Sequence, residues 1–594
     1  MSIGKNITFL GEIRYLRKWL PIAILIGIVS GLGAILFDGA IGFFNNLLLS
    51  NFVGFQAPTP LGEGGVLPSL AFNPYLLVLV TTFGGLLSGI IVFGLAPEAE
   101  GHGTDAAIEA FHTKKGIIRA RIPLIKMLAS AITIGSGGSA GREGPSAQIG
   151  AGFGSFVGKR LHLNLHDRRI ALAVGIGAGI GAIFKAPFGG AILAAEILYM
   201  GDFEVDALLP AFVASTVGYS IFGFFNGWTP VFGEVSLGFL QNPVNLPFYA
   251  LLGLACGFLG LVYIASFYGI KNAFQNIKIP NFVKPAIGGF AVGVIGVFFP
   301  QILGVGYGWL QILIEGNFTL LPLVLLPVII GLKIVATSLT IGSGGSGGVF
   351  GPALIIGGML GAVIWGVLNF LIPGFQPSVG VFVIVGMMAF FGGVGKVPIA
   401  VILMASEMTG SYTLLVPSMI ATSIAYVITG SKTIYKSQVP SRAESPAHRT
   451  EYSSSIMENL FVKDAMSNYV ITISPEMFAS EAAEIMKTNG IRGLPVTNRQ
   501  NELVGIITVT DILGIHPDYR NKKTVSSAMT KDPVVTVPTE TLSSVLGKLT
   551  GNQIGRLPVV SAADKKKLVG IVTREDIWRV YRIEINSRLE ESSQ

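Results

Sequence analysis

An arginine and a glutamate stand side by side inside a glycine-rich run, Gly135-Ser-Gly-Gly-Ser-Ala-Gly-Arg-Glu-Gly-Pro145, with apolar sequence on both sides. An ionisable pair in such surroundings is costly unless it faces a polar cavity. The glycine turn exposes backbone N–H groups, and Pro145 suits the first position of a new helix. Free amides at a helix start attract anions through both hydrogen bonding and the helix dipole. The chemistry implied is a membrane pathway for an anion, with the Glu143 carboxylate as a tethered competitor for the same place.

Composition supports a membrane setting. The chain has 594 residues, of which 51% are hydrophobic and only 13% charged, with 78 glycines. Long apolar runs with so few charges describe a polytopic membrane protein. The glycine excess fits close helix packing and broken helices. A single cysteine excludes a disulfide scaffold and a multi-cysteine metal site. The net charge of +7 sits in short loops and the C-terminal third, which fits membrane topology rather than nucleic-acid binding.

The elements around the run follow from charge and length. Lys5, Arg14, Arg17 and Lys18 place the N-terminus in the cytoplasm ahead of a long apolar segment, Trp19–Leu49. The loop 51–72 carries one charge, Glu63, and reads as external. Basic clusters at Lys114–Arg121 and Lys159–Arg169 both read as cytoplasmic, so Ile122–Val157 enters and returns. Two full spans barely fit that interval, so a broken, partly re-entrant pair is expected, with the Gly/Glu turn at its apex.

The membrane part is a repeat. Ile132–Gly141 returns as Leu339–Gly348 at an offset of 207 residues, which Pro145 and Pro352 also keep. Gly101-His-Gly103 is echoed by Gly306-Tyr-Gly308, Lys185-Ala-Pro187 by Lys396-Val-Pro398, and Glu196 by Glu407. Halves with an odd number of crossings must be inverted, with a site at their interface. The expected halves are 19–228 and 245–430 of a membrane domain spanning 1–440. After Tyr435 the composition turns polar. A linker is expected over 441–455, then a soluble α/β region over 456–594 that repeats internally, as units 456–516 and 522–584. Leu503-Val-Gly-Ile-Ile-Thr-Val-Thr-Asp511 matches Leu568-Val-Gly-Ile-Val-Thr-Arg-Glu-Asp576. Each unit reads as helix, strand, helix, strand, strand, helix.

Gly141-Arg-Glu-Gly-Pro145, Gly348-Val-Phe-Gly-Pro352 and the late Tyr435 resemble the signature set of the CLC chloride channel/transporter family, over about residues 15–440. The C-terminal tandem resembles a CBS-domain pair. The resemblance implies an all-α polytopic membrane domain with an inverted repeat, a homodimer with one ion path per subunit, and a cytoplasmic tail. It implies chloride or another small anion held by backbone amides around Gly144, Val349, Phe350 and Gly351 and by the Tyr435 hydroxyl. Glu143 is the implied gate, which leaves the path when protonated. The bland alternative for Glu143 is an ion pair with Arg142.

Two departures from the family pattern matter. Where the family usually carries Gly-Ser-Gly followed by Ile-Pro, this chain has Gly101-His-Gly103-Thr-Asp105. A neutral His102 can donate one N–H to an anion and a charged one holds it more tightly, so binding is expected to rise as internal pH falls. Alternatively the ring points away and only the amides of Gly101 and Gly103 serve. The choice between chloride and nitrate stays open at this position. The second departure is Ile197, which stands where proton-coupled members usually carry an internal glutamate. Glu196 is a tempting substitute, but its partner Glu407 makes a symmetric structural pair the simpler reading.

Passive channel-like conduction gated by Glu143 is therefore favoured, with anion/proton antiport by another internal route as the alternative. In the tail, Thr508, Asp511, Thr573 and Asp576 are the implied contacts for an adenine nucleotide (ATP, ADP or AMP), with Arg574 towards phosphate. The other reading of the tail is purely structural. No cofactor is required for transport. A CBS-regulated divalent-cation path would need several intramembrane carboxylates, which the apolar segments lack. No catalytic constellation is present, so the chain is not read as an enzyme. A plasma or inner membrane location is expected.

Overall fold

In the computed structural model the described residues are 2–235, 243–448 and 456–591. Two compact units divide at residue 447, Met1–Ala447 and His448–Gln594. The part of the expected linker from 449 to 455 lies outside the described residues.

The first unit is built from helices. Its first half runs α1 (Ser2–Phe44), continued by a π-helical stretch to Val53, then α2 (Pro74–Leu95), α3 (Thr104–His112), α4 (Ile122–Gly135), α5 (Glu143–Arg160), α6 (Leu165–Ile183), α7 (Pro187–Glu196) and α8 (Val205–Asn226). The second half repeats the order as α9 (Leu246–Asn276), α10 (Lys284–Phe298), α11 (Tyr307–Ile314), α12 (Leu326–Gly342), α13 (Phe350–Leu371), α14 (Val379–Gly395), α15 (Pro398–Thr409) and α16 (Leu415–Thr429). Among the described residues, six helices are long and apolar enough to cross a membrane. Large apolar side chains such as Phe83, Phe258, Phe290 and Val427 lie exposed on this unit, as lipid-facing residues do.

One helix in each half has no polar face. Residues Ile170–Ile183 of α6 and all of α14 are buried. A helix that is hydrophobic all round belongs at the centre of the fold. Each is packed backbone to backbone on the helix before it. A Cβ on Gly150 would meet the Gly175 carbonyl at 2.1 Å, and one on Gly357 would meet the Gly386 carbonyl at 2.3 Å. Close approach through small residues thus explains part of the glycine excess.

One expectation needs correction. The helix after the Gly/Glu turn opens at Glu143, so Pro145 occupies its third position, not its first. Proline is equally tolerated there, because the first four helix N–H groups lack intrahelical partners. The apolar run 170–200 divides into two helices, α6 and α7. Lys185 adopts φ +54° at the break, and Lys396 adopts φ +58° at the matching break between α14 and α15. These left-handed lysines are held by their ammonium groups. Lys185 donates to the carbonyls of Gly62, Asn226 and Thr229, and Lys396 to Tyr426 O and Thr429 Oγ1.

The second unit contains β1 (Gly493–Thr497), β2 (Leu503–Thr508) and β3 (Thr530–Lys531) in one antiparallel sheet. A second sheet pairs β4 (Arg556–Val560) with β5 (Leu568–Thr573), in the register of β1 with β2. The first strand expected in each repeat shrinks to a single parallel bridge, Ile473 to Val496 and Thr536 to Val559. Pro475 and Pro538 follow these bridges two residues later and supply no amide to extend them.

Candidate functional site

Three glycine loops meet at the interface of the two halves. Gly141 and Gly348 exchange backbone hydrogen bonds, Gly141 N to Gly348 O at 2.8 Å and Gly348 N to Gly141 O at 2.6 Å. Gly101 joins the same junction, donating to Gly345 O and accepting from Gly347 N, both at 3.2 Å. The serines of the Gly/Ser runs are struts between halves. Ser139 Oγ lies 3.0 Å from Thr337 Oγ1, Ser130 Oγ lies 2.9 Å from Ser346 Oγ, and Ser346 Oγ donates to Ala99 O at 3.0 Å. Two buried lysines pin the loops from behind. Lys126 Nζ donates to Ala99 O (3.0 Å) and Gly101 O (2.6 Å), and Lys333 Nζ to Ile302 O (2.9 Å) and Gly304 O (3.0 Å). The result is that the N-termini of α3, α5 and α13 converge on one buried place, with positive dipole ends and free amides.

Glu143 occupies that place. Its carboxylate is buried and accepts the Gly351 N–H at 3.0 Å, in the first turn of α13. The Tyr307 hydroxyl donates to its other oxygen. Room for the carboxylate exists because Gly141 and Gly351 lack side chains. A Cβ on Gly141 would stand 2.0 Å from Glu143 Oε2, and one on Gly351 would stand 3.0 Å from both oxygens. Arg142 turns away from Glu143 and pairs with Asp38 (2.8 Å) and with Glu63. The Arg142–Glu143 ion pair weighed above is therefore not the geometry adopted. A cavity of about 580 Å³ opens on the other side of Arg142, bordered by Asp38, Glu63, Lys185 and Tyr307.

Below Glu143 a ladder of rings lines the interior. Phe184, next to Tyr307 (6.3 Å), lies 5.1 Å from Phe350, which lies 4.0 Å from Phe391. Phe391 lies 6.4 Å from Tyr435, and Tyr435 lies 5.3 Å from His102. All of these rings are buried, as is Val349, whose carbonyl accepts the Tyr263 hydroxyl at 3.2 Å. Gly144 packs directly on the His102 backbone, where a Cβ would meet the His102 carbonyl at 2.1 Å. Gly103, at φ +82°, opens the turn into α3. The residues singled out around positions 101–103, 144, 349–351 and 435 thus lie in one neighbourhood. His102 Nδ1 faces the Asp105 amide at 3.5 Å, so the ring's own proton belongs on Nε2. A charged ring would lose that acceptor. This geometry weighs against the expected rise in binding through a charged His102 at low internal pH.

Ile197 is buried, and its carbonyl accepts from Gln438 Nε2 at 3.0 Å. Glu196, next to it, is buried as well. Its oxygens accept the amides of Ile399 (3.1 Å) and Ala400 (2.7 Å), which begin α15. Glu407 reciprocally accepts those of Phe188 (3.0 Å) and Gly189 (2.8 Å), which begin α7. Identical contacts in both directions are what a two-fold relation between halves produces.

In the second unit, Thr508 with Asp511 and Thr573 with Asp576 each form a capping box at a helix start. Asp511 N donates to Thr508 Oγ1 (3.4 Å) and Asp511 Oδ2 accepts the Thr508 amide at 2.7 Å. The corresponding distances at Thr573 and Asp576 are 3.2 and 3.1 Å. The same oxygens accept the threonine hydroxyls. One carboxylate oxygen of each aspartate is thus committed to its own helix. Arg574 Nη2 donates to Leu549 O at 3.1 Å.

Several residues escaped the sequence reading. Tyr307 lay inside the recognised echo Gly306-Tyr-Gly308, as the counterpart of His102, and its position there was the available signal. Lys126 and Lys333 keep the 207-residue offset of the glycine runs and could have been found by it. Asp38 and Glu63 carried no local signal, because their partner is distant in sequence.

The family model for voltage gated chloride channels matches residues 84–430, and the CBS-domain model matches 462–517 and 525–577. An uncharacterised protein of Methanocaldococcus jannaschii is 30% identical over 430 residues, covering 72% of this chain and 98% of the relative. The H(+)/Cl(-) exchange transporter ClcA of Salmonella arizonae is 29% identical, covering 70% and 88%. Among solved structures, a slow cyanobacterial Cl-/H+ antiporter matches with TM-score 0.60 at 23% identity, covering 70% of this chain and 96% of its own. A eukaryotic CLC transporter matches with TM-score 0.56 at 19% identity, covering 95% and 98%.

Proposed function

The chain belongs to the voltage gated chloride channel (CLC) family, and on that premise we propose that it moves chloride or a similar small anion past Glu143, which acts as the gate. The observation that carries this reading is the Glu143 carboxylate on the Gly351 amide at the start of α13. A helix-start amide that holds a carboxylate can hold a free anion of the same charge. The two compete, so the path conducts when Glu143 leaves. Protonation removes its charge and with it the attraction to the amide and the dipole. The anion then passes from the cavity at Arg142 towards the ring-lined interior at Phe350, Tyr435 and His102. Oriented amides stabilise a dehydrated anion without trapping it, since they carry no full positive charge.

Two modes share this gate. Conduction is passive if the proton that opened Glu143 returns to the side it came from, and Ile197 favours this mode because it cannot carry a proton. Exchange results if the proton leaves on the other side. A buried glutamate near Ile197, Glu204, favours that second reading. We place the protein as a homodimer in a plasma or inner membrane with the CBS pair in the cytoplasm, where an adenine nucleotide at Asp511 and Asp576 regulates it.

The test is chloride efflux from liposomes holding the full chain. Wild-type efflux is expected to rise as external pH falls, by up to about tenfold per unit while Glu143 stays mostly ionised. Glu143→Gln is expected to raise efflux at neutral pH and to flatten that profile. A Glu143→Gln protein with wild-type efflux and pH dependence would exclude Glu143 as the gate.

A further inference from the structure

The repeat places matching residues in two glycine loops. His102 stands between Gly101 and Gly103, and Tyr307 stands between Gly306 and Gly308, 205 positions later. Both loops turn through left-handed glycines, Gly103 at φ +82° and Gly306 at φ +94°, and each opens a short helix, α3 or α11. Each is pinned by the matching buried lysine, Lys126 on Gly101 O and Lys333 on Gly304 O. His102 lies beside Tyr435, at the far end of the ring ladder from Glu143. Tyr307 lies at the Glu143 end and also borders the cavity at Arg142. The two counterparts thus stand at opposite ends of one path.

Packing fixes where the Tyr307 hydroxyl points. All eight residues of α11 are buried. Gly308 packs so closely on the loop before α2 that a Cβ there would meet the Pro58 carbonyl at 2.1 Å. The Tyr307 ring packs against Phe184 and Phe232, with centroids 6.3 and 5.9 Å away, and the Arg142 guanidinium lies 5.8 Å from its centre. A phenylalanine would fill the same space. Only the hydroxyl sets tyrosine apart, and a buried hydroxyl needs a partner. It donates to Glu143, at the place that Gly351 keeps open. A Cβ on Gly351 would stand 3.1 Å from Tyr307 Oη.

We propose that the Tyr307 hydroxyl is the outer anion ligand of this chain and the latch of its gate. This rests on the reading of Glu143 as that gate. The hydroxyl has one proton to donate, so the Glu143 carboxylate and a free anion compete for it. With the carboxylate in place, the hydroxyl holds one of its oxygens and the Gly351 amide the other, and the path is closed. When the carboxylate leaves, the same two donors face an anion arriving from the cavity. Without that anion the buried hydroxyl is left unsatisfied, which is unfavourable. A neutral hydroxyl holds an anion without a full positive charge, so the anion still moves on. Removing the hydroxyl therefore loosens the gate and weakens the anion.

The experiment measures chloride efflux at neutral pH from liposomes holding the full chain, over a range of chloride concentrations. Tyr307→Phe is expected to raise efflux at least about fivefold, because the gating carboxylate loses its hydroxyl donor. Glu143→Ala empties the place. In that background Tyr307→Phe is expected to raise the half-saturating chloride concentration about three- to tenfold. A packing defect would not produce this pair of effects, faster efflux with the carboxylate present and weaker chloride without it. Efflux from Tyr307→Phe at or below the wild-type rate overturns the proposal. So does an unchanged half-saturating concentration in the Glu143→Ala background. Wild-type efflux from Glu143→Ala with Tyr307 intact overturns the gate reading itself and the proposal with it, a failure distinct from the other two.

Discussion

At the scale of single residues, Glu143 and His102 are answered by partners that no local pattern names. Glu143 is held by Tyr307 and Gly351, which lie 164 and 208 positions away. His102 has its Nδ1 against the Asp105 amide and its ring against Tyr435 and Phe267. With that nitrogen used as an acceptor, we propose that His102 offers an anion a neutral Nε2–H donor. His102→Ala is therefore expected to weaken anion affinity about two- to tenfold, the effect of one neutral hydrogen bond. The response to internal pH is expected to match wild type. Isothermal titration of chloride at two internal-side pH values checks both, and a lost pH response would show that the ring carries charge.

At the scale of elements, helix starts organise this unit. Glu196 and Glu407 each serve two amides at the start of the other half's short helix. That is a reciprocal cap across the interface of α7 and α15. Removing either carboxylate leaves two helix-start N–H groups without their acceptors, at up to about 1–3 kcal/mol for each one shielded from solvent. Glu196→Ala and Glu407→Ala are expected to lower the melting temperature by similar amounts, because the contacts are equivalent. Unequal losses, or a change in proton coupling with no loss of stability at Glu196, would move Glu196 from a structural to a transport role. The capping boxes at Thr508 and Thr573 follow the same logic in the second unit. There the pattern Thr-x-x-Asp is legible in the sequence as a proposed nucleotide contact, and the same residues also cap their own helices.

At the scale of the whole molecule, a member of the CLC family carries a tandem CBS unit after residue 447. If Asp511 and Asp576 bind an adenine nucleotide, AMP or ATP at a hundred times its dissociation constant stabilises the unit that binds it by about 2.7 kcal/mol. A concentration-dependent rise in the melting temperature of the full chain is the expected result. No rise with either nucleotide would leave the tandem a structural module. The sequence by itself determined the helical membrane class, the internal repeat, the CBS tandem and the motifs at 101–103, 141–145 and 348–352. It could do so because apolar length, composition and repeated spacing are local properties that survive without a fold. Tertiary structure alone decided that Arg142 faces Asp38 and Glu63, that Glu143 sits on Gly351, that Glu196 caps α15, and that Glu204 shares Arg442 with Asp206. Each of these is a contact between groups far apart in the chain. A side chain in a low-dielectric interior takes whichever partner the packed helices bring to it, and only the packed fold selects that partner.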